Sequence, residues 1–513
     1  MQSKRFKSQI TNSYGGLKGL QNTKFCTALL ILVMFAAIFS LSPAFSLLIN
    51  SVIIGCTGRI ATEKASIIYK SEIRGVHIAD SIFAFPHDWN VIAETLAGYK
   101  INFVTVLLMG LPTGSRPDAE WRACIQAFHS RGIEVHISYH VIGEMAVKEE
   151  YKCETSTGTK VDWNCPTKQA FRQDVKTFVE RIASTYDIDG IMFDYARYPG
   201  DNMCYCSECK QAFEAWLGEG AITDWTPFYA NGTRYKKFME WRTIPVTNIV
   251  RDAREWMLAI NPNLKFSLAQ WTLFGYSPNY SPTYWRYWNG QDAAYWVAMD
   301  YLDMTQPMMY TGVTTGEPHS IETYILANRK YVTGEIEGKI PLVAFITTGV
   351  TKPLDPLAFK AVVDKVREIG ADGWIIWRYG GPGVNDGGYH IDIRPYLDLL
   401  TLPDVFSLSN IQVSVSGSDA DITWSTDLPA TSRVEYSTSP LFNATKKLDV
   451  ATSYNYWDVD HIQGQIVEDL ANVTSHDVKL TGLSAGVTYY LRVQSQDEHG
   501  TATSETFTLN LST

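Results

Sequence analysis

The sequence predicts an α/β chain: a (β/α)8 TIM barrel, a small all-β sandwich after it, and a hydrophobic helix ahead of both. Three observations carry this. Short apolar runs alternate with helical segments eight times between residues 72 and 402, and parallel strands joined by helical crossovers have few other ways to close. One run, Gly190 to Phe193, ends on a carboxylate, Asp194, ahead of a loop with Arg197 and Pro199; barrels place their chemistry at the C-terminal ends of their strands. After Leu402-Pro403-Asp404 the helical period stops and short alternating strands begin.

Taken in order, the first strand is Ile73 to Ala79, ending at Asp80, and Trp89 to Tyr99 is a helix. Ile101 to Leu108 is almost continuously apolar, as a strand buried on both faces should be. Pro117-Asp118 opens a helix that ends near Gly132. Ile133 to Tyr139 leads to His140, and a long loop with Glu144, Cys153, Asp162, Trp163 and Cys165 precedes a helix from Thr167 to Tyr186. The Asp194 strand is the fourth, followed by a helix from Lys210 to Leu217 and a helical region between Tyr235 and Ile260. Leu264 to Leu268, ending near Gln270, is the fifth strand, and an aromatic loop spans Trp271 to Trp288. A helix from Gln291 to Met299 leads to the sixth strand, Leu302 to Met309, which ends at Tyr310. Helix Ile321 to Thr333, strand Lys339 to Ile346, helix Leu357 to Ile369, strand Gly373 to Trp377 and a short helix Pro395 to Leu400 complete the barrel. Residues 404–513 read as a β-sandwich with strands near 411–415, 420–424, 432–436, 475–480, 488–496 and 501–510.

Composition narrows the function. A net charge of -10 argues against a nucleic-acid partner held by a basic surface. The aromatic share, 13%, suits a carbohydrate substrate, because ring faces stack on the C–H faces of pyranoses; it also supplies a large barrel core. Residues 1–24 are basic and 25–54 apolar, long enough for the roughly 20 residues a bilayer needs. The charge in front sets the N-terminus inside. A signal peptide cleaved near Ala44-Phe45-Ser46, an uncleaved anchor that makes the membrane a partner, and a lipoprotein-like Ile53-Ile54-Gly55-Cys56 all stay open. Each sends the rest of the chain outside the cytoplasm, where Asn231, Asn279, Asn443 and Asn472 are glycosylation acceptors.

Cys204-Tyr-Cys206-Ser-Glu-Cys209 brings three thiols together, with Cys165 upstream. Such a cluster with a remote partner suits one structural zinc; two disulfides are the alternative outside the cytoplasm. Zinc is favoured because Cys204 and Cys206 are too close to pair with each other. No catalytic cofactor is expected.

Asp194 is read as a catalytic nucleophile or base, with Arg197 beside it. Its carboxyl partner is sought among Asp80, Glu144 and Glu317, all at strand ends; each alone also reads as a solvated loop acid. His77, His140, Gln270, Trp271, Tyr310, Trp377 and Arg378 are expected to contact substrate with Arg197. Tyr276, Tyr284, Trp285, Tyr287 and Trp288 are further sugar platforms or loop packing. His136 and His140 share a face, which admits a catalytic metal, yet no metal-type histidine spacing supports one. Asp303, at the opposite end of its strand, reads as structural.

Asn164-Cys165-Pro166 with Cys204-Tyr-Cys-Ser-Glu-Cys-Lys-Gln-Ala-Phe213 resembles the cysteine region of family 42 β-galactosidases. The resemblance implies four thiols on a structural zinc; it does not reach that family's catalytic Asn-Glu and Glu, where this chain has Phe193-Asp194 and Ile346-Thr347. Arg74-Gly75-Val76, Asp187-Ile-Asp-Gly190-Ile-Met-Phe-Asp194-Tyr-Ala-Arg197-Tyr-Pro199, Tyr301 to Tyr310 and Gly373-Trp-Ile-Ile-Trp377 resemble glycoside hydrolases of the glycosyl-hydrolase-like family 10 type. That resemblance implies a barrel enzyme over residues 72–402. Ile422-Thr-Trp424, Arg433-Val-Glu-Tyr436, Leu480-Thr-Gly-Leu483 and Tyr489-Tyr-Leu-Arg-Val493 resemble fibronectin type III.

The reading is an extracytoplasmic glycoside hydrolase of an oligo- or polysaccharide, membrane-anchored at the cell surface or secreted. An inactive surface carbohydrate-binding or adhesion protein is the alternative. A metal-dependent polysaccharide-modifying enzyme is a weaker one.

Overall fold

The computed structural model describes residues 62–63, 69–79, 88–107, 118–143, 147–230, 232–271, 282–310, 320–333, 338–349, 353–380, 391–449, 454–498 and 500–511. The basic and apolar N-terminal stretches, Asp80, Glu144, Glu317, Asn231 and Asn279 lie outside them. Among the described residues no helix is long and apolar enough to cross a membrane.

Eight parallel strands form the barrel: β1 Ile73–Ile78, β2 Phe103–Leu107, β3 Glu134–His140, β4 Gly190–Asp194, β5 Lys265–Gln270, β6 Met304–Pro307, β7 Val343–Thr347 and β8 Gly373–Trp377. Their hydrogen-bonded order is β6-β5-β4-β3-β2-β1-β8-β7. Parallel bridges between Thr305 and Leu342 and between Met308 and Phe345 join β6 to β7 and close the ring.

Strand alternation divides the apolar residues in two. Ile73, Phe103, Met192, Ala269, Met304, Val343, Phe345 and Ile375 pack inside the barrel. Val76, Val104, Val135, Ile137, Ile191, Phe193, Phe266 and Leu268 face the helices. The interior also takes His136, fully buried between Glu134 (3.0 Å) and Ser267 (3.2 Å). Gly190 makes room for it: a Cβ there would lie 2.6 Å from the His136 ring and 2.5 Å from the Lys265 carbonyl. Both ring nitrogens of His136 are thus engaged inside the barrel, by Glu134 and Ser267.

The helices are α1 Trp89–Gly98, α2 Asp118–His129, α3 Gln169–Thr185, α4 Ser207–Leu217, α5 Thr233–Ile260, α6 Pro282–Asn289, α7 Ala293–Ala298, α8 Ile321–Asn328, α9 Pro356–Glu368 and α10 Arg394–Leu397. Their starts follow local chemistry: Asp88 caps α1, and Asp355 caps α9 with Pro356 in its first turn. Two loops hold more structure than expected. The β3–α3 connection contains a hairpin, Lys152–Glu154 with Lys160–Asn164, and α6 occupies the end of the aromatic loop.

The N-terminal ends of the strands are tied by buried charge. Glu134 takes Lys70 at 2.6 Å and Lys265 at 2.9 Å. Burial alone would raise its carboxyl, but the two lysines outweigh burial and hold it well below the usual range. Asp303 accepts from the Phe266 amide at 2.7 Å and pairs with Arg254, the structural role its position suggested.

The C-terminal sandwich has strands β9 Ser407–Ser416, β10 Asp419–Ser437, β11 Phe442–Asp449, β12 Tyr454–His461, β13 Gln465–Leu480, β14 Thr488–Gln496, β15 Thr501–Thr503 and β16 Phe507–Asn510. The first part of β10 pairs with β9 and its last part with β14, while β13 follows it along both. Leu408, Ile422, Trp424, Val434, Leu491 and Val493 form the core between them. Tyr69–Lys70 and Thr62–Glu63 add to β9 ahead of the barrel. The β11–β12 hairpin leaves the sandwich and lies on the barrel, with Trp457 against Tyr295 (5.3 Å) and Val459 in the barrel's core.

Candidate active site

β4 delivers Asp194 to the C-terminal rim. The chain then turns sharply: Tyr195 takes φ 53°, in the left-handed region a bulky residue seldom occupies. Asp194 Oδ1 accepts from the Tyr195 amide at 2.6 Å, which fixes the carboxylate's rotation. Its Oδ2 lies 3.5 Å from His140 Nε2, delivered by the neighbouring β3. The His140 ring in turn packs on Tyr195 at 4.6 Å. Asp194 is nearly buried, 9% exposed, so this orientation is held by the protein rather than by water.

Arg197 does not sit on Asp194. Its guanidinium lies over Trp271 at 4.0 Å, Tyr195 at 4.7 Å and Trp163 at 5.5 Å. These rings come from the loops after β5, β4 and β3, so the arginine stitches three loops by cation–π contact. Across the rim, Tyr310 stacks on Trp377 at 5.1 Å. Enclosure, and then the Asp194 charge, push the Tyr310 hydroxyl well above its usual range; Arg378 and Arg197 pull the other way. All four charged and phenolic groups therefore share one electrostatic neighbourhood. His77, the register partner of Trp377 on the neighbouring strand, has Nδ1 2.8 Å from Thr105 Oγ1 and its ring edge-on to Phe345 at 5.6 Å.

Two expected contacts are elsewhere. Gln270 points out of the barrel, because strand alternation puts Ala269 inside; it accepts from Thr305 Oγ1 at 2.5 Å and donates to Asn328 Oδ1 at 2.8 Å. Tyr287 is buried with its hydroxyl on the Asn455 carbonyl at 2.8 Å, so it holds the sandwich and is no sugar platform. Tyr276 and the side chains of Tyr284 and Trp285 lie outside the described residues, as do all three proposed carboxyl partners. Sequence reasoning did not assign roles to Trp163 and Tyr195, whose only signal was an aromatic residue near a strand-end acid or cysteine.

Cys165, Cys204, Cys206 and Cys209 converge. All four are buried free thiols whose sulfurs lie within 4.8 Å of one another. Cys165 Sγ is 3.4 Å from Cys209 Sγ and 3.7 Å from Cys206 Sγ. A tetrahedral zinc with Zn–S of about 2.3 Å has sulfur–sulfur edges of about 3.8 Å, and a disulfide bond is about 2.05 Å. The donor set and spacing fit a four-thiolate ion. The surroundings fit as well: the Glu154 amide donates to Cys204 Sγ at 3.4 Å, and the fully buried Tyr198 hydroxyl beside the cluster has no hydrogen-bond partner among the described residues. Cys153 is a fifth thiol nearby; burial, then Cys165 and Cys204, push it well above the usual thiol range.

A cavity of about 1260 Å³ opens at the other end of the barrel, between the strands' N-terminal ends and the sandwich. Its charged lining is largely paired, as in Lys70–Glu134, Arg254–Asp303 and Arg329–Asp372. That end of a barrel serves stability.

Residues 408–510 match the family model described as purple acid phosphatase, N-terminal domain. The sandwich stands, but its matching family is this one and not fibronectin type III. No curated protein matches the chain. Among solved structures, the glycoside hydrolase domain of PgaB (BpsB) from Bordetella bronchiseptica is 13% identical with a TM-score of 0.47, over 60% of this chain and 94% of that one. A β-galactosidase from Bacillus circulans sp. alkalophilus is 14% identical with a TM-score of 0.47, over 64% of this chain and 55% of that one. The α-L-fucosidase isoenzyme 2 of Paenibacillus thiaminolyticus is 16% identical with a TM-score of 0.43, over 64% and 48%. The chain spans about half the length of the latter two.

Proposed function

We propose that this chain is a glycoside hydrolase acting on an oligo- or polysaccharide, with Asp194 as nucleophile or base. The observation that carries the reading is the oriented, nearly buried Asp194 carboxylate at the C-terminal rim, held by His140 and the Tyr195 amide among Trp163, Trp271, Tyr310 and Trp377. Glycosidic cleavage uses a second carboxyl, about 5–5.5 Å away for retention or about 6.5–9.5 Å for inversion. We assign it to one of Asp80, Glu144 and Glu317, the acids that follow β1, β3 and β6. Tyr310 and Trp377 offer a stacked pair of rings for a pyranose face, with the Arg378 guanidinium 5.3 Å from the Trp377 ring as a donor for its hydroxyls.

We assign one zinc to Cys165, Cys204, Cys206 and Cys209. It would supply no chemistry at the reacting bond; it would pin the β3 loop, through Cys165, to the β4 loop that carries Arg197. The basic and apolar segments ahead of the barrel support an extracytoplasmic setting.

The test is hydrolysis of a glycan panel by the wild type and Asp194→Asn. Turnover by the wild type, lost in the variant with glycan binding retained, is the expected outcome. Binding without turnover by the wild type would favour a carbohydrate-binding protein.

A further inference from the structure

The sandwich reads from sequence as a separate domain after the barrel, but its β11–β12 hairpin bonds the helix at the end of the aromatic loop. The Asn455 carbonyl, in β12, accepts from Arg286 Nη1 at 2.7 Å and from the Tyr287 hydroxyl at 2.8 Å. Both residues belong to α6 and are buried. α6 ends on Asn289 and Gly290. The Asn289 carbonyl accepts from the Tyr198 amide, in the Asp194 loop, at 2.6 Å. Gly290 has φ 77°, and a Cβ there would sit 3.0 Å from the Tyr198 ring. Next comes Gln291, 3% exposed, whose Oε1 accepts from the Trp271 amide at 2.7 Å and whose Nε2 donates to the Ala196 carbonyl at 3.4 Å. Trp271 then carries the Arg197 guanidinium at 4.0 Å.

We infer that the β11–β12 hairpin is a positioning element of the active site: by seating α6 it holds Gln291, and through Gln291 the backbones of Trp271 and Ala196, which place the ring under the Arg197 guanidinium and the loop that follows Asp194. Every link is a direct contact among buried or half-buried groups, and among the described residues no hydrogen bond or ring contact joins the hairpin to Asp194, Tyr310 or Trp377. The inference rests on the hydrolase reading for its purpose, not for its geometry. A hairpin that only fastened two domains would have no need to bond the helix that leads into Gln291.

The experiment uses the full chain and hydrogen exchange, which needs no substrate. Trp457→Ala removes the ring that seats the hairpin on Tyr295, and Tyr287→Phe removes one donor to Asn455. Both variants are expected to raise exchange about ten-fold, a local opening, in peptides covering residues 194–202 and 265–271. Peptides covering β1 and β7 should be unchanged. Trp457→Phe, which keeps a ring against Tyr295, should restore protection. Unchanged exchange at 194–202 and 265–271, or an equal rise throughout the barrel, would overturn the inference. Localised exchange in a chain that cleaves no glycan would leave the coupling standing and remove the hydrolase reading; glycan cleavage with no localised exchange would do the reverse.

Discussion

A strand-end carboxylate gains a role from what fixes it, and Asp194 is fixed on both oxygens, by the Tyr195 amide and by His140. Tyr195 holds a left-handed backbone to make this turn, and such outliers persist where the surroundings over-determine them. Changing His140→Ala would free one side of the carboxylate; we expect kcat to fall by about 10²-fold or more with the fold intact, read by steady-state kinetics beside a circular-dichroism melt. Gly190 is constrained differently, since any Cβ meets the His136 ring and the Lys265 carbonyl. Gly190→Ala should cost about 1–3 kcal/mol in denaturant unfolding, as overpacking does. Asp194 was legible because a carboxylate ended an apolar run. The true location of Arg197 was not: sequence proximity suggested an ion pair with Asp194, whereas its guanidinium is captured by rings from three separate loops. Gln270 shows the same limit, for one step of strand alternation turns a rim residue into an outward one.

At the scale of elements, the thiols join two loops that both feed the site. Cys165 lies two residues from Trp163, and Cys204 follows Arg197 by seven. Metal binding that closes such a clip is folding energy. Wild-type protein should carry one zinc per chain by elemental analysis, and Cys206→Ser should lose it. Chelation should lower the melting temperature by several degrees, where two disulfides would leave it unchanged. All eight barrel strands were legible, because continuous apolar runs between helical periods have few other readings. The β11–β12 hairpin was not. Phe442-Asn-Ala-Thr-Lys-Lys-Leu-Asp449 has no clear alternation, and it is the barrel rather than its own sheet that buries Val459.

The whole molecule is two domains, and one buried cluster that ties the β11–β12 hairpin to the rest of the sandwich sets an acid limit. Glu435 bonds Arg492 at 2.8 Å and His461, on the hairpin, at 3.1 Å. Burial would raise its carboxyl, but His461, the Gly464 amide and Arg492 bring it from 4.5 down to about 2. Between those values the unfolded chain binds a proton that the folded one does not. Glu435 therefore stabilises fully above pH 4.5, and that stability is lost as pH falls toward 2. Melting temperatures from pH 6 to pH 2.5 should fall steeply at the acid end, and less steeply in Glu435→Gln. A barrel alone does not imply hydrolysis, so the account stands on its rim. The most direct test is turnover by Asp194→Asn against a glycan that the wild type cleaves, with binding measured on the same preparation. The account predicts a loss of about 10³-fold or more in kcat with affinity kept within a few-fold. Turnover near the wild-type rate would contradict it.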